Sequence, residues 1–428
     1  MNELDTEVMA GALVQRGLTP TDEKEADLLI FNTCSIRDLA ERKAMGKIGK
    51  IRRHKRPDQI LGVTGCMANA KKETLFSKLP HIDFILGTND IHTLNSVLDE
   101  VIASGKPIIR SSKSFTYEID YLAAKRDDPI KAHVSIIRGC DKFCTYCVVP
   151  YTRGPEVSRD PAHIIKECRL LVDKGYREIT LLGQNVNSYG KDKPEWGMLF
   201  HDLLYELDKI PGLYRVRFMT SHPVDITPEL MVAIRDLPSL CEFVHFPIQS
   251  GSNRILRKMH RIYTKEEYLE KVKRFREILP SVALGTDIIV GFPTETEEDF
   301  QETYHVLEKL EYSVAFLFTY SARQGTPAKR FKDDVPETVK EARLHKLMEL
   351  QKSIYSKQRQ SLLGKTMEIL VESKNFKDPS LLKGRTRCWK NVLFPGDSSL
   401  IGTLQNVTLT GYSHQTFFGE IYAHNRAP

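Results

Sequence analysis

The chain has 428 residues, 41% apolar and 28% charged, with a formal net charge of +6 at pH 7. That length supports two to four domains of about 100–200 residues. No apolar run approaches the ~18 residues of a membrane span, and the acidic start lacks the basic and apolar regions of a secretory signal. The expected compartment is the cytoplasm, where the eight cysteines point to metal or catalytic thiols rather than a disulfide framework.

Asp5 can cap an opening helix in which Val8, Met9, Ala12 and Leu13 share one face. ADLLIFNTC (26–34) reads as a strand, followed by a basic helix from Arg37 to His54. QILGVTGC (59–66) and IDFILG (82–87) are further strands, followed by helices over 69–78 and 91–103. Residues 1–105 therefore read as a Rossmann-like parallel α/β domain, but no strand precedes the first helix. Cys34 and Cys66 each fall where a strand gives way to a loop, the edge at which open α/β sheets bind ligands. Residues 106–125 are polar and read as a linker.

From 126 to 358 the pattern is strand then helix, six times over, with strands at 133–140, 178–186, 215–223, 242–251, 283–293 and 314–322. Six βα units predict a partial (β/α)6 barrel, short of the eight of a closed one, with its chemistry at the strand ends. Gln184, Asn185, His222, Gln249, Asp287 and Arg323 recur at that edge, where Gly and Pro alone would serve as turn punctuation. A helix over 339–360 leads to short strands between 361 and 425, which predict a small all-β barrel of OB-like type.

Two stretches are basic. Arg42–Arg56 holds eight Lys or Arg and no acid, and Arg254–Arg276 holds nine against three acids. Either alone reads as a solvated helix face, but together with a basic tail they favour a nucleic-acid partner.

RGCDKFCTYC carries the chemistry, with Cys140, Cys144 and Cys147 spaced C-x3-C-x2-C just after a strand. Structural zinc wants four closed ligands, and no fourth follows. Electron-transfer clusters use four cysteines. Three thiolates can hold a [4Fe–4S] cluster with one iron left open for a substrate or cofactor. Cys168, Cys241 and Cys388 read as packing residues.

This motif at the first strand end of a six-unit barrel resembles the radical S-adenosylmethionine (SAM) superfamily. The resemblance implies that Cys140, Cys144 and Cys147 ligate the cluster, that Tyr146 packs beside it, and that SAM cleavage yields a 5′-deoxyadenosyl radical. NTCSIRDLAERK, GCMA, LLGQNVNSYG, SHP, HFPIQSGSNRILRKMHR and DIIVGFPTETEEDF extend the resemblance to the methylthiotransferase family over essentially the whole chain. It implies a methylthiotransferase domain at 1–105, a radical SAM core at 126–358 and an RNA-binding TRAM domain at 361–425. It also implies two [4Fe–4S] clusters, the auxiliary one held by Cys34, Cys66 and a third cysteine. SAM contacts are implied for Gly183, Gln184, Asn185, Asp287 and Arg323, with His222 in the same mouth. Arg153 and Arg159 would suit a SAM carboxylate or a tRNA phosphate. Arg385, Arg387, Trp389 and Lys390 mix cations with an aromatic, which single-stranded RNA binding uses and a core Trp beside a solvated basic face also explains.

The segments LLGQNVNSYG, SHP and HFPIQSGSN resemble the branch acting on N6-dimethylallyladenosine at position 37 of tRNA, beside the anticodon. Another tRNA adenosine or a ribosomal-protein aspartate is the alternative substrate. The implied partners are tRNA, a flavodoxin- or ferredoxin-type electron donor and a sulfur donor, with a monomer and no membrane expected. The family's first cysteine lies just before a Met-Asn dipeptide, which here is Met1-Asn2. A start codon assigned downstream of the true one accounts for the missing strand and the missing ligand together. The alternative is a cluster-carrying, tRNA-binding protein impaired in methylthiolation.

Overall fold

The computed structural model describes residues 1–33, 38–112, 115, 117 and 119–422. Helix α1 (Asn2–Gln15) leads to β1 (Leu28–Thr33), α2 (Asp38–Ile51), β2 (Ile60–Gly65), α3 (Cys66–Lys78), β3 (Phe84–Leu86), α4 (Leu94–Ser104) and β4 (Ile108–Arg110). The strands form one parallel sheet in the order β1-β2-β3-β4. β4 lies inside the stretch expected to be a linker. Ile119 and Tyr121 beyond it are buried in the same core as Leu4, Phe84 and Leu98. The N-terminal unit thus continues past 105, because Ile108 and Ile109 complete the sheet and Tyr121 closes its core.

The central unit contains β5 (Lys131–Ser135), β6 (Ile137–Arg138), α5 (Val149–Arg153), β7 (Val157–Ser158), α6 (Pro161–Asp173), β8 (Glu178–Leu182), α7 (Phe200–Asp208), β9 (Arg215–Phe218), α8 (Pro228–Asp236), β10 (Phe243–His245), α9 (Asn253–Lys258), α10 (Lys265–Ile278), β11 (Ala283–Val290), α11 (Glu297–Leu310) and β12 (Val314–Thr319). Parallel sheets β5-β8-β9 and β10-β11-β12 meet through a bridge between Val216 and Leu240, giving six strands in open-barrel order. The helices start where the sequence punctuates them. Asp160 caps α6 ahead of Pro161, and Thr264–Glu267 and Thr296–Asp299 form capping boxes on α10 and α11. One apolar core fills the barrel, from Val134 and Leu181 through Val244 to Ile288.

Helix α12 (Glu337–Gln360) connects to β13 (Thr366–Lys374), β14 (Leu381–Thr386), β15 (Asn391–Pro395), β16 (Leu404–Ser413) and β17 (Thr416–Ile421). These close into a barrel in the order β13-β14-β15-β17-β16 around Ile369, Leu382, Phe394 and Phe417. No described helix is long and apolar enough to cross a membrane.

Candidate active site

Strand β6 pairs antiparallel with β7, Ile137 opposite Ser158 and Arg138 opposite Val157. The three-cysteine segment is therefore an excursion between two short strands at the C-terminal end of the first barrel unit. Gly139 makes this turn with φ +79°, and a Cβ there would sit 1.8 Å from the Pro155 carbonyl oxygen. The loop is pinned on both sides. Cys140 N–H donates to the Gly154 carbonyl (3.2 Å), Thr145 N–H to Met259 (3.0 Å) and Ala328 N–H to Thr145 (2.9 Å).

The loop's charged partner is Arg261. This buried guanidinium donates to Cys144 Sγ (3.5 Å), the Pro247 carbonyl (2.9 Å) and the Tyr263 hydroxyl (2.9 Å). The sequence hid it in a basic run read as a nucleic-acid surface. Most of that run holds βα units together. Arg254 pairs with Asp299, Lys265 with Glu302, and Lys271 donates to the carbonyls of Pro223 and Val224.

Burial pushes the Cys140 and Cys147 thiols up to about 12, so they stay protonated until a cation supplies compensating charge, as bound iron does. No three His, Cys, Asp or Glu among the described residues gather closely enough for a single metal ion. A tetrahedral zinc site would need sulfurs about 3.8 Å apart. Three thiols on one loop are the soft donor set that iron–sulfur clusters take.

Beside Cys147 opens a cavity of about 760 Å³, with Tyr146, Gln249, Asp287, Arg323 and Arg42 among its lining residues. Asp287 Oδ2 lies 3.2 Å from His245 Nε2. Arg42 comes from α2, so the N-terminal unit forms part of the mouth. Cys66, at the first turn of α3, is close enough to Cys147 for their charges to interact. Cys34 lies outside the described residues.

Gly183, Gln184 and Asn185 have other work than the cavity. A Cβ on Gly183 would meet Ile137 Cγ2 at 2.4 Å. Gln184 Oε1 accepts the Gly139 N–H (2.6 Å) and so fastens the cysteine loop. Asn185 donates to Ser188 (2.5 Å) and Asp225 (2.7 Å) and accepts from His222 N–H (3.1 Å), which spends its amide. His222 Nδ1 accepts from Val224 N–H at 3.3 Å. Burial and the nearby Arg261 push this imidazole down to about 2, so it is neutral across the physiological range. Arg159 pairs with Glu167 and stacks on Tyr121, and Arg153 pairs with Asp5 at 3.0 Å. Gln184→Leu will therefore leave the Gly139 N–H unpaired at about 1–3 kcal/mol, lowering iron retention after anaerobic gel filtration. Unchanged retention would mean the loop holds without it.

The four residues expected to contact RNA are a correction. Arg387 donates to Glu242 (2.8 and 3.0 Å) and the Pro238 carbonyl (2.8 Å). Lys390 Nζ donates to Ser313 Oγ (2.7 Å), and Trp389 stacks on Phe243 with ring centroids 5.6 Å apart. Arg385 lies over the Trp389 ring (4.5 Å) and 3.4 Å from Glu372. The seam joins the C-terminal barrel to the N-terminal ends of the central strands, at the other end from the cysteine loop, and protein groups use the donors of Arg387 and Lys390. Of the packing cysteines, Cys168 and Cys241 are buried in the core, and Cys388 lies 3.3 Å from Thr386 Oγ1.

Residues 134–307 match the Radical SAM superfamily, and residues 1–87 match the Uncharacterized protein family UPF0004. The chain is 71% identical over 422 residues to the tRNA-2-methylthio-N(6)-dimethylallyladenosine synthase of Protochlamydia amoebophila, covering 98% of this chain and 94% of the relative. It is 47% identical to the protein of the same name from Thermoanaerobacter pseudethanolicus, covering 98% and 90%. Among solved structures, the radical S-adenosylmethionine methyltransferase TsrM from Kitasatospora setae aligns with a TM-score of 0.56 at 15% identity, over 76% of this chain and 73% of that one, a likeness of fold. Identity at this level over nearly the whole length places the chain in the tRNA-2-methylthio-N(6)-dimethylallyladenosine synthase family of radical SAM proteins.

Proposed function

We propose that this protein is a tRNA methylthiotransferase that replaces the C2 hydrogen of N6-dimethylallyladenosine at position 37 with a methylthio group, using SAM and two [4Fe–4S] clusters. The observation that carries this reading is a three-thiol loop at the mouth of a six-strand barrel, with an N-terminal unit that reaches the same mouth through Arg42 and carries Cys66 at the first turn of α3. Bound there, a reduced cluster and SAM supply a radical able to take hydrogen from an unactivated carbon.

The chain's own residues do the rest. Cys140, Cys144 and Cys147 hold one cluster, with Arg261 donating to the Cys144 sulfur. Cys66 and Cys34 belong to the auxiliary cluster. Tyr146, Gln249, Asp287 and Arg323 line a cavity whose volume, about 760 Å³, suits a small-molecule cofactor and a flipped-out base. Lys43, Lys50, Arg52 and Arg53 are exposed and have no ion-pair partner among the described residues, so α2 and the turn after it offer cations to RNA phosphates next to the mouth. The functional division is a cluster-binding N-terminal unit extended through β4, a radical SAM core and a TRAM-like barrel. The protein works as a cytoplasmic monomer with a flavodoxin- or ferredoxin-type reductant and a separate sulfur donor.

The test is nucleoside mass spectrometry of tRNA from a strain lacking the native gene. Complementation with this chain restores the 2-methylthio nucleoside. Restored mass on a ribosomal protein with unmodified tRNA would overturn the substrate, and no product with intact SAM cleavage would favour an impaired, cluster-carrying protein.

A further inference from the structure

Side chains on β10, β11 and β12 alternate between two faces. Ile288 and Val290 point into the apolar core, so Asp287 and Ile289 point the other way, and both line the cavity. Ile289 stands nearer the rim and packs on the same apolar cluster as Tyr146 of the cysteine loop. Asp287 lies deeper, directly opposite Phe316 on β12. His245 on β10 is one pleat deeper again, opposite Gly285. Below it on the same face, Phe243 stacks on Trp389, where the C-terminal barrel covers the strand starts. The layer under the cavity is thus a carboxylate, an imidazole and a phenyl ring on three adjacent strands.

This layer is incomplete as it stands. His245 is 4% exposed, yet neither ring nitrogen has a hydrogen-bond partner, and Nε2 lies 3.2 Å from Asp287 Oδ2 without hydrogen-bond alignment. Buried polar groups are nearly always paired. A turn of the Asp287 carboxylate, whose last torsion is soft, aligns one oxygen with the imidazole and leaves the other facing the cavity. The Asp287 side chain is 27% exposed, so that oxygen has open space before it. Phe316 is 37% exposed and meets His245 edge to face, with ring centroids 6.1 Å apart. A carboxylate accepts an N–H or O–H, and an exposed ring beside it takes a flat aromatic partner. An aminopurine offers both. SAM belongs at the cysteine loop, whereas Asp287 lies three residues before the end of β11, roughly 10 Å below the rim. The deeper space falls to the second molecule, the base to be modified.

We propose that Asp287 reads the exocyclic N6–H of the flipped adenosine, that Phe316 supplies the face on which the base stacks, and that His245 is a positioning residue that aims the carboxylate. The inference rests on the tRNA reading of the site. It adds a specificity: the carboxylate favours an adenine that keeps a hydrogen on N6 and disfavours an acidic side chain in its place.

The test is fluorescence-anisotropy binding of two anticodon stem-loops to anaerobically reconstituted full-length protein without SAM. One carries N6-dimethylallyladenosine at position 37, and the other carries that nucleoside with its N6 hydrogen replaced by methyl. Wild type binds the first about tenfold more tightly, the worth of one hydrogen bond to a charged group. Asp287→Leu loses this ratio, and Asp287→Asn, which keeps an acceptor oxygen, retains part of it. His245→Phe narrows it. Phe316→Ala weakens both stem-loops about tenfold and keeps the ratio. The ratio is internal to each variant, so a reduced folded fraction does not move it. Equal affinity of the wild type for the two stem-loops overturns the proposal whatever the variants do. A wild-type ratio in Asp287→Leu, which would leave the carboxylate to SAM, overturns it as well, as does wild-type affinity in Phe316→Ala. A wild type that binds neither stem-loop more tightly than one with unmodified adenosine removes the substrate reading itself, and the proposal with it.

Discussion

Arg217→Met will destabilise the junction with the C-terminal barrel by about 3–5 kcal/mol. Arg217 rises from β9 with its Nε on Glu178 (2.9 Å), Nη1 on the Arg387 carbonyl (2.7 Å) and Nη2 on the Thr386 carbonyl (2.8 Å). Its guanidinium also lies over the Trp389 ring, 4.8 Å from the centroid. Methionine matches the stem and none of the donors. Glu178 is buried and would be left without its partner, and the Arg387 and Thr386 carbonyls would lose their donors. In a chain of several units the loss falls on one interface, so trypsin should release the β13–β17 barrel early, and a separate low-denaturant transition should appear. A single transition at the wild-type midpoint would show that the remaining contacts, Arg215 with Glu368 (2.9 Å) among them, suffice to hold the barrel.

The same seam separates two meanings of a basic, aromatic cluster. Arg385, Arg387, Trp389 and Lys390 look alike in sequence whether they meet RNA or protein carbonyls, because their partners at Arg217, Glu242 and Ser313 are remote along the chain. Arg387→Ala should therefore lower stability and leave the salt dependence of tRNA affinity unchanged. Removing one free cation from α2, such as Lys50→Ala, should reduce that slope by about 0.7–0.9. Filter binding across a salt series distinguishes the two; the reverse pattern would return RNA contact to the tail residues.

Local signals were legible and long-range ones were not. The six barrel strands begin within two residues of their expected starts, as at 178, 215, 283 and 314, because apolar runs and turn residues mark entry to a sheet. Their ends were read too long. The strand expected over 242–251 stops at His245, and that over 215–223 stops at Phe218, since the apolar pattern continues into loops packed on the barrel mouth. The cysteine loop was legible because its spacing is local. The role of Gln184 was not, since an amide at a strand end reads alike for a ligand and for the Gly139 N–H across the mouth. Arg261 was hidden by its neighbours, because a cation inside a basic helical stretch carries no mark of burial.

That buried cation makes the sharper prediction. No carboxylate pairs with Arg261 among the described residues, and its contacts are Cys144 Sγ, Tyr263 and a carbonyl. Its field, after burial, is the next cause holding His222 down at about 2. The counter-charge must come from the thiolates of the loaded cysteine loop. Arg261→Met should then act with opposite sense on two states. The cluster-free protein should be unchanged within about 1 kcal/mol or more stable, since replacing an uncompensated buried ion by an apolar side chain is neutral or favourable. The reconstituted protein should hold about four irons fewer than the wild type and lose SAM cleavage, because the Cys144 sulfur has lost its charged donor. Urea titration of the cluster-free protein and iron analysis of the loaded one read the two arms. A destabilised cluster-free protein would make Arg261 a packing residue, and full iron content with unaltered cleavage would show that the loop holds its cluster without a cation behind it.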